Sequence, residues 1–265
     1  GYTLAGLSES NVAAAVQGGW ENTFDSWYPF IIGGSPDLIS VGSNSSYTSL
    51  EELVEAASSG DVTIGTDWIL PQPDLWMDSF LGLVKQHGLT VFLSHPERDP
   101  ATDKMYNTVF VINSNGQIIG KHRKVKALGG AESWSTSGWK IDPIECDGIK
   151  TGILICADAY KNEVAQVFKD KGAQLLVSPV SWGPGHCGPD GEWEARSADT
   201  GLPMMVCNRS GYEEGELDYS LAESVVAQDG KRLLEATSDR SVVLSFDWDV
   251  DQMSLISDNF ERVYL

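Results

Sequence analysis

The chain has 265 residues, 42% of them hydrophobic, and 38 acidic residues against 18 basic ones give a formal net charge of −20. That length buries a core able to stand without disulfides or metal. So anionic a surface excludes nucleic acid and acidic membranes as partners, and it disfavours an acidic substrate unless a local basic site overrides the field. No apolar run approaches bilayer length and no signal-peptide pattern is present. Cys146, Cys156, Cys187 and Cys207 are irregularly spaced, which fits a reducing compartment better than a disulfide framework. A cytoplasmic protein is the expectation, with secretion left open because the chain opens on Gly1.

In chain order, YTLAGLS, PDLISVGSN and DVTIGTDW read as strands, and 20–32 and 49–57 as helices. Apolar side chains at helical spacing over 75–87, stopped by Gly88, predict a helix, and LTVFLSH predicts a strand ending at Pro96. NTVFVINSNGQIIGKHRK reads as a hairpin turning over 113–116, and PIECDGIKTGILICAD as another turning at Asp147-Gly148. A helix over 161–171, the strand QLLVSPVSW, a helix over 191–200 and the strand LPMMVCN follow. AESVVAQDGKRLLEA forms a last hairpin, and SVVLSFDWD completes the core. Hairpins mixed with helix-to-strand units predict an α/β fold of two sheets flanked by helices. No linker divides the chain, so residues 1–265 read as one domain, with 1–70 the least regular part.

Chemistry concentrates in three places. Cys156 ends the apolar run Gly152-Ile153-Leu154-Ile155, where a strand would hold it rigidly while its sulfur reaches a cleft, as a nucleophile requires. A buried core cysteine is the competing reading. Lys121-His122-Arg123-Lys124-Val125-Lys126 gathers four of the 18 basic residues in six positions. A cation there would lower a thiol pKa and hold an oxyanion, whereas lysines on a solvated edge strand would discourage strand pairing. Glu132 sits between them in sequence, beside Trp134.

The order of these segments resembles the nitrilase superfamily of carbon–nitrogen hydrolases over roughly residues 75–250. MYNTVFVINSNGQIIGKHRKVKAL is similar to that family's YNT–strand–turn–strand–RK stretch, and GILICADAY to its G-x-x-I-C-x-D motif. GAQLLVSPVSW, Trp193-Glu194-Ala195-Arg196-Ser197-Ala198 and MVCNRSG follow in family order. The resemblance implies a four-layer α-β-β-α sandwich. It also implies that Cys156 attacks a small amide, nitrile or carbamoyl carbon to give a thioester. Lys124 and the Ala157 N–H would hold the oxyanion, and Glu132 would match the family's second glutamate. No cofactor or metal is implied, and a homo-oligomer is, extending into spirals in some members.

The sequence departs from that pattern where the general base belongs. No Pro-Glu occurs in the first 90 residues; Pro96-Glu97 falls too late. Asp67, ending DVTIGTD, is the candidate carboxylate, while Ser43, ending PDLISVGS, has the more family-like distance to Lys124 and no carboxylate. The family's tyrosine and histidine near the RK pair are His122 and Lys126 here. Two functions therefore stand: a thiol amidase, or a catalytically impaired relative serving as a binding or filament-forming protein. Gly183-Pro184-Gly185-His186-Cys187-Gly188 matches a dinucleotide fingerprint literally, but Pro184 and the PDGEW that follows open no apolar helix, so it reads as a loop over the pocket. Trp182 and Trp193 flank it as pocket walls or core.

Overall fold

The structure is a computed structural model, and it describes residues 2–6, 31–32, 69–128, 132–184, 188–213 and 217–264. The first sheet begins with strands β1 (Tyr2–Gly6) and β2 (Ile31–Ile32), followed by helix α1 (Leu75–His87) and strands β3 (Val91–Arg98), β4 (Met105–Ile112) and β5 (Ile118–Arg123). Then come β6 (Ile144–Cys146), β7 (Ile149–Ile153), a 3-10 turn (Cys156–Ala159), α2 (Asn162–Asp170), β8 (Leu175–Val180), α3 (Glu192–Thr200) and β9 (Met204–Asn208). The short pair β10 (Tyr212–Glu213) and β11 (Leu217–Asp218) precedes β12 (Ser224–Gln228) and β13 (Lys231–Ala236). The described chain ends with β14 (Val242–Asp249), β15 (Ser254–Leu255) and β16 (Glu261–Tyr264).

Local signals fix the ends of α1. The Asp74 carboxylate accepts from the Met77 N–H at 2.9 Å, and Gly88 closes the helix at φ +62°, a left-handed conformation that a Cβ disfavours. Met77, Phe80 and Val84 fall on one face of the helix and are buried.

One sheet runs β15-β14-β1-β2-β3-β4-β5, with β16 also on β14, and the other runs β13-β12-β9-β8-β7-β6. Strand alternation sorts their side chains into layers. Val91 and Leu93 pack with Phe110 and Ile112 under α1, while Phe92, between them, faces Val109, Ile153, Val177 and Met205 in the space between the sheets. On the far side, Val164 and Phe168 of α2 and Trp193 of α3 cover Leu176, Met204 and Val225. The result is the expected α-β-β-α sandwich, built on burial of about 1.5–3 kcal/mol per large apolar side chain.

Two expectations change. Ile31–Ile32, read as the end of a helix over 20–32, is a strand lying parallel to both β1 and β3. Two β-branched residues between strands follow the sheet rather than helical spacing. The strand expected to stop at Pro96 continues to Arg98, paired with β4 throughout. Among the described residues β2 pairs with β3 at Val91 and Phe92 alone, so Pro96 has just one described neighbouring strand, where a missing N–H is tolerated. The strand expected to complete the core does so, Trp248 of β14 being the last buried apolar residue of the described chain, and β15 and β16 add to its edge. The helix read over 49–57 and the strands over PDLISVGSN and DVTIGTDW lie outside the described residues.

Candidate active site

The thiol is presented by the end of β7. Beyond that strand the Leu154 N–H still donates to the Val177 carbonyl at 2.9 Å, and the Ser178 hydroxyl donates to the Leu154 carbonyl at 2.6 Å. The chain then breaks from the sheet: Cys156 has φ +47°. For a residue with a Cβ this left-handed conformation costs on the order of 1–3 kcal/mol. It turns the sulfur out of the strand line as the 3-10 turn begins. Gly152 lets α2 close behind this strand, since a Cβ there would lie 2.7 Å from Phe168 Cγ and 2.8 Å from Leu176 Cδ2.

Across from it, the basic segment divides by strand parity. His122 and Lys124 point inward and are each 2% exposed. Lys121 and Arg123 point the other way and pair with Glu97, whose carboxylate also accepts from the Thr108 hydroxyl at 3.0 Å. The reading of a merely solvated edge strand therefore fails for this segment. The Lys124 backbone is held on both sides, its N–H donating to the Asn107 carbonyl at 2.8 Å and its carbonyl accepting from the Gly138 N–H at 2.7 Å. Its ammonium is paired with Glu132. The Glu132 carboxylate also accepts from Asn107 Nδ2 at 2.9 Å and from the Leu128 N–H at 3.1 Å. A carboxylate so occupied orients the cation it pairs with.

Charges from both partners reach the sulfur. Burial pushes the Cys156 thiol up to about 11, opposed first by Lys124 and reinforced by Glu132, with the Ala157 N–H bonding to the sulfur and Asp158 repelling charge on it. The neutral thiol therefore dominates at pH 7.

The side chain that joins the two halves is Asp158, fully buried in the 3-10 turn. One oxygen accepts from the Val125 and Lys126 N–H groups at 3.1 and 2.8 Å, and the other from the Ile155 N–H at 3.2 Å, with His122 Nε2 at 3.4 Å. Arg196 braces the turn from α3, donating to the Ala159 carbonyl at 2.7 Å while bonded to Asp199. Lys126, the other departure from the family pattern, turns its ammonium to Glu163 at 2.8 Å.

Cys156, Lys124 and Glu132 thus come together, whereas Asp67 and Ser43 lie outside the described residues, as do His186 and Cys187. Trp182 and Trp193 are buried and pack edge to face at 5.7 Å, as core rather than pocket wall. Among the described residues no group of three or more His, Cys, Asp or Glu side chains is placed to hold a metal ion. Asn107 and Asp158 brace the site and were passed over in the sequence, while Glu97, set aside there as too late for the general base, pairs with Lys121 and Arg123 on the opposite face. The first two stand inside the YNT and I-C-x-D motifs and carried a signal there.

A family model described as carbon-nitrogen hydrolase matches residues 43–256. This chain belongs to the carbon-nitrogen hydrolase family. It is 25% identical over 183 residues to a probable nitrilase of Schizosaccharomyces pombe, covering 67% of this chain and 66% of that one. It is 29% identical over 178 residues to an omega-amidase of Saccharomyces cerevisiae, covering 57% of this chain and 59% of the relative. The matched stretch therefore spans 59–66% of the length of these curated relatives. Among solved structures, the carbon-nitrogen hydrolase from Helicobacter pylori G27 superposes with a TM-score of 0.63 at 19% identity, covering 92% of this chain and 87% of its own. An amidase from Nesterenkonia gives 0.65 at 17% identity, covering 97% and 91%. These two likenesses establish the nitrilase-type sandwich for this chain. In none of its described helices is there a stretch long and apolar enough to cross a membrane.

Proposed function

We propose that this carbon-nitrogen hydrolase is a thiol hydrolase of a small, non-peptide C–N bond, with an amide as the preferred substrate. The observation that carries the reading is the Cys156 turn at φ +47° facing a buried ammonium, Lys124, already oriented by Glu132. Cys156 Sγ would attack the amide carbon. The negative charge arising on its oxygen would be met by Lys124 Nζ and the Ala157 N–H, donors fixed before the reaction begins. Collapse would expel the nitrogen as ammonia or an amine, which takes up a proton. Water would then cleave the thioester to release the acid and restore the thiol. With the thiol raised to about 11, the first step needs a base for its proton. We assign that place to Asp67, in the segment preceding α1. Relatives named omega-amidases in yeast and in Xenopus tropicalis support an amide over a nitrile.

One observation favours a second reading, a catalytically impaired binding or filament-forming protein: the first 90 residues contain no Pro-Glu, and Ser43 offers no carboxylate. Both readings are compatible with a homo-oligomer of this anionic chain. Ammonia release from a panel of small amides and nitriles, compared with Cys156→Ala, separates them. The hydrolase reading expects release that depends on Cys156. Equal background from both proteins would instead support the impaired relative.

A further inference from the structure

The two reacting groups stand on different sheets: Lys124 follows β5 of the first, and Cys156 follows β7 of the second. Hydrogen bonding within either sheet does not set the distance between them. A buried carboxylate crosses between them at the site itself. Asp158 takes the Val125 and Lys126 amides on Oδ1, directly after Lys124, and the Ile155 amide on Oδ2, directly before Cys156. It is 0% exposed, so water does not compete for these bonds. The remaining position on Oδ2 faces His122, which lies on the same inward face as Lys124, two residues earlier. The His122 ring is seated against Phe168 of α2, centroids 5.4 Å apart. Donation to Oδ2 places a proton on Nε2, and the other ring nitrogen, Nδ1, is buried with no hydrogen-bond partner among the described residues. Among the described residues the imidazole therefore makes its polar contact with Asp158.

We propose that Asp158, completed by His122, is the positioning residue that fixes the Lys124 ammonium relative to the Cys156 sulfur. The inference deepens the thiol-hydrolase reading and rests on it for its consequence in catalysis, but its geometric content can be measured without turnover. Lys124 favours the thiolate, so Lys124→Met slows alkylation of Cys156. The slowing is large only while the two groups are held together.

The test is a double-mutant cycle in the rate of iodoacetamide alkylation at Cys156, read by mass spectrometry at pH 8, over wild type, Lys124→Met, His122→Phe and the double variant. Phenylalanine keeps the contact with Phe168 and removes both ring nitrogens, so the melting temperature should hold or rise. The slowing caused by Lys124→Met is expected to be at least about threefold greater in the wild-type background than in His122→Phe. His122→Gln, whose side-chain N–H reaches a similar place, should restore the full factor. An identical factor in both backgrounds would overturn the proposal. If His122→Phe folds poorly, Asp158→Asn carries the same cycle with the same two outcomes. Ammonia release is measured alongside: coupling intact in a protein inactive on every amide would refute the hydrolase reading and leave the clamp standing, whereas an active enzyme without coupling would refute the clamp alone.

Discussion

Glu97→Gln is a perturbation whose size can be worked from the structure. The Glu97 carboxylate is 2% exposed and receives Lys121, Arg123 (Nε at 3.1 Å) and the Thr108 hydroxyl at 3.0 Å. Removing one member of a fully buried ion pair strands a charge and costs about 3–5 kcal/mol. Here the cations are not stranded. Lys121 is 43% exposed, and Arg123 keeps Asp99 at 2.9 Å. The loss is then charge assistance on about two bonds, about 1.5–3 kcal/mol in total. At about 2–4 °C per kcal/mol for a chain of this size, the melting temperature should fall by about 3–12 °C at pH 7. Burial pushes the Glu97 carboxyl up, but hydrogen bonds and charge from Arg123 and Lys121 outweigh it and leave the carboxyl below its ordinary value. A depressed carboxyl stabilises the fold above its unfolded value and loses that contribution as pH falls through the folded one. Melting curves of both proteins from pH 7 to pH 3 should therefore show a gap that is full at neutrality and narrows below about pH 4.5. No gap at pH 7, or a gap unchanged at pH 3, would refute the reasoning.

Lys124→Met should lower kcat for an amide by about 10²–10³-fold with KM changed little, since an oxyanion donor acts mainly in the transition state; a KM effect alone would assign Lys124 to substrate binding. Because burial raises the Cys156 thiol to about 11, its neutral form dominates below that value. Iodoacetamide alkylation of the free enzyme should still be climbing at pH 9, and a plateau near pH 7 would contradict this electrostatic picture. Asp67→Asn should reduce turnover by about 10²–10⁴-fold while Ser43→Ala leaves it unchanged; steady-state kinetics showing the reverse order would move the base away from Asp67.

Much of the fold is legible because its signals are local. The α1 boundaries follow from Asp74, Gly88 and the spacing of Met77, Phe80 and Val84. The hairpins of β4–β5 and β6–β7 follow from their turn residues and flanking apolar runs. What escapes is set by distant partners. Ile31–Ile32 becomes a strand because β1 and β3 lie on either side, and Glu261–Tyr264 because β14 offers an edge. The site divides in the same way. Cys156 and Lys124 announce themselves by segment chemistry, but which basic side chain turns inward depends on parity from β4 through β5. The Asp158 clamp joins residues 32 and 33 positions apart and exists only once the two sheets are stacked. Trp182 and Trp193 could not be assigned from sequence, because an aromatic wall and an aromatic core have the same composition.

The central claim, a thioester on Cys156, is tested most directly by turnover of a small amide in the presence of hydroxylamine. Hydroxylamine competes with water for an acyl group carried on sulfur. Wild type should form the hydroxamate at the expense of the acid, in a ratio that tracks hydroxylamine concentration, and Cys156→Ala should form neither product. Acid and ammonia produced undiminished by Cys156→Ala would contradict the account.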